Sequence, residues 1–89
     1  MKDIAPVTMQ VWIQPHSLYA GKRLSDIPLP EGCYLLGLVR DHRLLEDNSD
    51  LEIEINDYIL AVALDPTHTA HLDSVLKRIE KHIEMTGAE

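Results

Sequence analysis

The 89-residue sequence has no phenylalanine, a single cysteine and only four glycines. Without Phe, the interior must be built from Leu, Ile, Val and Ala. One cysteine excludes an internal disulfide framework and fits a reducing cytoplasm. No G-x-G-x-x-G turn follows a strand, so a dinucleotide-binding domain is excluded. No apolar run approaches the roughly 18 residues that a membrane span needs, and no signal-peptide pattern opens the chain. Any relation to a membrane is therefore expected to be peripheral and to run through a partner protein, without direct insertion.

Positive charge is also scarce where it would matter for nucleic acid. Residues 44–76 hold eight acidic side chains and no Lys or Arg, while residues 1–43 hold five basic side chains against four acidic ones. The net charge is −7. Nucleic-acid binding needs a basic groove or stripe, which this distribution does not offer.

Apolar residues make up 45% of the chain, an ordinary share for a globular protein. The length implies one domain, residues 1–89, near the lower limit for burying an adequate core alone. A small aliphatic core of this kind gains from a second subunit, and a homodimer is expected.

Val7, Met9, Val11 and Ile13 alternate with polar or aromatic residues, the period-two pattern of a half-buried strand, which Pro15 ends. Ser17 can cap a short helix over about residues 18–26, with Leu18, Leu24 and Ile27 on its apolar side. Pro28 and Pro30 force a crossing loop up to Gly32. Cys33 to Val39 is apolar almost throughout and reads as a strand buried on both faces. A polar turn, Arg40-Asp41-His42-Arg43, leads to a short strand at Leu44 and Leu45. Leu51, Ile53 and Ile55 alternate with Glu52 and Glu54, and Asn56-Asp57 signals a turn before another buried strand over Tyr58 to Leu64.

Asp65-Pro66 is a helix start, followed by Leu72, Val75, Leu76, Ile79 and Ile83 at helical spacing up to Gly87. The expected architecture is α+β: four to five short strands with a short first helix and a longer C-terminal helix. The residue pattern by itself also suits other small α+β folds.

Three segments resemble the RCK C-terminal (TrkA-C) domain of potassium-transport regulatory proteins. Residues 17–27, with Ser17, Gly21, Lys22 and Leu24, look like the family's opening "S-x-x-x-G-K-x-L". Residues 29–41 look like its loop and buried strand ending in Arg and a turn. Asn56-Asp57-Tyr58-Ile59-Leu60-Ala61-Val62 is similar to its "G-D-x-L-x-V" strand, with Asn56 where Gly is usual. The resemblance spans about residues 7–83. It implies a non-enzymatic, dimerising regulatory domain that senses a small ligand at the dimer cleft and controls a potassium or other cation channel or transporter.

That cleft would be lined by Pro30, Cys33, Tyr34 and Leu36, with Arg40, His42 and Arg43 at its mouth. Two guanidinium forks beside a turn can grip a phosphate or carboxylate. The competing reading of this cluster is an exposed hairpin with local ion pairs. Some relatives bind cyclic di-AMP, but they place Arg and Asn on the loop after the first helix. Here residues 27–34 offer neither, and Glu31 would repel phosphate. The expected ligand is therefore a small molecule of unnamed identity, small anions such as nucleotides being one option, with no cofactor required.

Other clusters have plainer readings. His68 and His71 lie three apart on the last helix without a third ligand, so no metal is expected. The acidic loop from Glu46 to Glu54 fits a solvated sheet edge better than a cation site. Cys33 fits a small apolar core residue. The alternative to a sensor is an oligomerisation or docking module that binds no small molecule.

Overall fold

A computed structural model describes residues 5–48 and 50–80. Four strands, β1 (Val7–Trp12), β2 (Cys33–Arg40), β3 (Arg43–Glu46) and β4 (Tyr58–Ala63), form one antiparallel sheet in the order β1-β4-β2-β3. A helix, α1 (Thr69–Leu76), follows a 3-10 turn at Pro66–His68. The fold is α+β, as expected.

The core lies on one side of the sheet. Val11, Cys33, Leu38, Ile59, Ala61 and Ala63 are buried there with Ile13, Tyr19, Leu24, Ile27, Ile53 and the helix residues Leu72, Val75 and Leu76. Each large aliphatic side chain removed from water in this way stabilises the fold by about 1.5–3 kcal/mol.

Strand β2 contains a bulge. Leu35 pairs with Ala61 and Gly37 with Leu60, so Leu36 is an extra residue on that strand. The bulge changes the alternation partway along. Cys33, Leu35 and Leu38 share the core side, whereas Tyr34, Leu36 and Val39 share the other. Gly37 has φ 144°, and a Cβ there would overlap the Leu45 carbonyl oxygen. Glycine at this position thus makes room for the neighbouring strand.

Strands β2 and β3 are joined by a two-residue turn in which Asp41 has φ 53° and His42 φ 66°. Positive φ at both positions is the type I′ geometry that matches strand twist. Asn56 also has positive φ, 81°. Asn tolerates this conformation better than most side chains, which explains how it can stand where the family favours Gly.

The expected first helix is reduced to a 3-10 turn at Leu24–Asp26. Its backbone groups have other partners. Lys22 O accepts from Ile53 N at 2.7 Å, Gly21 N donates to Ile53 O at 2.8 Å, and Leu24 N donates to Leu51 O at 3.1 Å. Ser17 Oγ accepts from Tyr19 N within a local turn rather than capping a helix. Gly21 has φ 87° with open space where a Cβ would stand, so the site requires its conformation and not close packing. The segment expected as a strand at 51–55 makes only one isolated bridge, Arg23 with Glu52.

The start of the last helical region is as expected. Asp65 Oδ1 accepts from both Thr67 N and Thr67 Oγ1 at 2.9 Å, and Pro66 follows. Helix α1, however, ends at Leu76. Beyond it Ile79 bridges to Ser17, Glu80 N donates to His16 O at 2.8 Å, and Leu18 N donates to Arg78 O at 2.9 Å. Backbone pairing with the 16–18 segment thus replaces further helical turns. Ile83 and Gly87 lie outside the described residues.

Candidate functional site

The residues expected to line a ligand cleft fall in four places. Cys33 is a core residue, 4% exposed, and burial pushes its thiol pKa up. Tyr34 and Leu36 stand on the opposite, open side of the sheet at 54% and 46% exposure. Arg40, His42 and Arg43 sit at the hairpin end. Seven residue steps along the strand separate Cys33 from Arg40, roughly 23 Å of chain at the usual rise. Pro30 is half-buried in the crossing loop, where its carbonyl accepts from Cys33 N.

Arg40 is held internally. Its Nε and Nη2 donate to the two carboxylate oxygens of Asp57 at 2.9 Å each. Nη2 also donates to Glu52 O at 2.8 Å, and Nη1 lies 3.3 Å from Glu54. The hydrogen bond to Asp57 is the main cause raising the Arg40 pKa, with the charges of Asp57 and Glu54 adding to it.

Asp57 is itself 1% exposed and also accepts from Glu54 N at 2.7 Å. This bidentate pair ties the hairpin end of β2 to the turn before β4. An Arg with its donors so engaged is an anchor more than a free anion grip. Arg43, in contrast, is exposed and makes no ion pair among the described residues. It lines a shallow cleft with Arg40, Asp41 and Leu45.

Asp57 was not among the expected site residues. Its place in an Asn-Asp turn marks it as a turn former, and no local pattern reveals a partner 17 residues away. The open side of the sheet was missed as well. It carries Trp12, Tyr34, Leu36, Leu44 and Tyr58, each at least 44% exposed, together with half-buried Val39, Leu60 and Val62. The strands at 33–39 and 58–64 were expected to be buried on both faces. Within one chain they are covered on one face only, because no described element lies across the other. A shallow depression of about 360 Å³ among Thr8, Gln10, Leu36 and Leu60 indents this face.

His68 is half-buried, and its Nδ1 is enclosed without a hydrogen-bond partner beside Gly32. His71 is exposed. No group of three or more His, Cys, Asp or Glu able to hold a metal occurs among the described residues. No described helix is long and apolar enough to cross a membrane.

An antiparallel sheet with one covered face, one open apolar face and a helix packed beneath it defines a small domain of the α+β class. The TrkA-C domain family matches residues 8–72, and the chain belongs to that family, whose members are regulatory domains of potassium-transport systems. No curated protein matches the chain.

Proposed function

We propose that this chain is a dimerising, ligand-sensing regulatory domain that controls a potassium or other cation channel or transporter and performs no catalysis itself. The observation that carries the proposal is the uncovered apolar side of the sheet. Trp12 and Tyr58 pair across β1 and β4, and Val39 and Leu44 extend the same row across β2 and β3. A row of this kind across the whole sheet exceeds the scattered apolar exposure normal for a monomer. A second copy placing its own open face against it would supply the missing layer and bury Tyr34 and Leu36 in the seam.

Two copies related by a two-fold axis form a shared crevice. A ligand with different affinity for two arrangements of the pair shifts their populations, and an attached transport protein can read that shift. Exposed Arg43 and His42 at the hairpin end would contribute charge and hydrogen bonds at the mouth of the crevice. The same apolar face supports docking without a ligand equally well, and ligand-dependent stabilisation separates the two.

Sedimentation equilibrium of the full chain is the test. The wild type should be dimeric at micromolar concentration. Leu36→Asp should weaken association at least about tenfold while the circular dichroism spectrum stays that of a folded protein. A wild-type chain that remains monomeric at high concentration would refute the dimer. A dimer whose melting temperature no nucleotide or small anion raises would favour the docking module.

A further inference from the structure

We propose that each protomer carries a separate anion-binding cleft, formed by Lys22, Arg23 and Arg78, that accepts a small phosphorylated molecule. This goes beyond the dimer reading, because every residue in the cleft comes from one chain.

Three backbone segments meet at this place. Residues 21–24 pair with 51–53, and residues 16–18 pair with 78–80, so the cationic side chains project from hydrogen-bonded backbone on both walls. Between them is a cleft of about 470 Å³, lined also by Leu18, Tyr19 and Pro28. That volume lies in the range of small-molecule sites.

In a chain of net charge −7, three of the cations line one concavity. Among the described residues, none of them lies within ion-pair distance of a carboxylate. Asp26 and Glu52 stand on the same rim and could have neutralised them. Instead Asp26 Oδ2 accepts from the backbone N–H of Arg23 at 3.1 Å. Elsewhere among the described residues Arg40 pairs with Asp57 and Glu54, and Lys77 with Asp73, while Arg43 at the hairpin is a lone exposed cation and not part of a cluster.

Like charges gathered without partners repel one another, and a bound anion removes that cost. Two guanidinium groups and an ammonium suit a phosphate, whose oxygens accept from several donors at once. The apolar floor of Leu18, Tyr19 and Pro28 accommodates an organic part, and the carboxylates of Glu52 and Asp26 can accept from its hydroxyl or amino groups.

The test is titration of the isotope-labelled full chain with AMP and with pyrophosphate, followed by amide NMR and calorimetry. Saturable binding should move the amides of Gly21, Lys22, Arg23, Glu52 and Arg78. Arg23→Gln combined with Arg78→Gln should weaken it about tenfold or more. Both side chains are exposed, so an unchanged melting temperature is expected. Should the double variant fail to fold, Lys22→Gln alone serves, with a smaller loss.

Arg43→Gln at the hairpin and the dimer-splitting Leu36→Asp should leave the affinity unchanged. Absence of saturable binding by either probe up to ~10 mM would overturn the proposal. Equal weakening by Arg43→Gln, or loss in Leu36→Asp, would also overturn it by moving the anion to the hairpin or to the dimer crevice.

Discussion

The two faces of the sheet are built from nearly the same kinds of residue and have opposite fates. On the core side, Leu38, Ile59, Ala61 and Ala63 are at 0% exposure under the helix and the 13–27 segment. On the other, Leu36 and Leu44 remain open although they are equally apolar, beside the more polar Thr8, Gln10 and Tyr58. Composition therefore does not decide which face is the interior. The decision comes from which face the connecting segments cross, and from the bulge that assigns each residue of β2 to a side. An apolar face left open by the chain's own connections is the surface on which the proposed dimer rests.

The largest expected effect tests the clamp that holds the edge of the covered face. Asp57→Ala leaves the Arg40 guanidinium facing a buried gap, and urea unfolding should show a loss of about 4 kcal/mol. Leu38→Ala removes a fully buried side chain and should cost about 3 kcal/mol by the same measurement.

Gly37→Ala forces a Cβ into the Leu45 carbonyl, so a loss of about 2 kcal/mol with partial separation of β3 is expected. Leu36→Ala should change the unfolding free energy of the monomer by less than about 0.5 kcal/mol, because its side chain is on the open face. A loss comparable to that of Leu38→Ala would erase the distinction between the faces.

The smallest effect concerns Asp65. Hydrogen bonds from the Thr67 backbone and hydroxyl hold its carboxyl below the ordinary carboxylate value, with the charge of His68 adding slightly. A pKa lowered by folding means that the contribution is present above the unfolded-state value. It fades as pH falls through the folded-state value. Melting curves of wild type and Asp65→Asn should therefore differ at neutral pH and converge in acid below about pH 4.

Much of the fold was legible in the sequence because it rests on local rules. The alternation from Val7 to Ile13, the Asp65-Pro66 start and the polar turn at Asp41-His42 each occupy a few adjacent residues. The first helix was misread because its pattern was local while its hydrogen bonds were not: residues 21–24 pair with 51–53, some 30 positions on. The last helix stops early for the same reason, since residues 78–80 pair with 16–18.

The candidate cleft was less legible than the fold. An apolar run such as Cys33–Val39 gives no sign of a bulge, so the sides of Tyr34, Leu36 and Leu38 could not be assigned from it. Arg40 and Arg43 look alike in the sequence, yet Asp57 engages one and leaves the other exposed. Arg78 gave no signal either, because only the fold brings it beside Lys22 and Arg23.

The single extra residue in β2 gives the length of that strand a tolerance separate from its chemistry. Deleting the codon for Leu36 would remove the bulge and leave Leu35, Gly37 and Leu38 paired with Ala61, Leu60 and Ile59 in regular alternation. Leu38 would keep the core side, Val39 the open side and Arg40 its place beside Asp57, and only the Leu36 side chain would be lost from the open face. A one-residue deletion at the bulge thus spares both surfaces and the clamp, whereas a deletion within residues 38–40 would shift the residues that follow it to the opposite face. Chimeras that borrow this hairpin should count residues before they compare them.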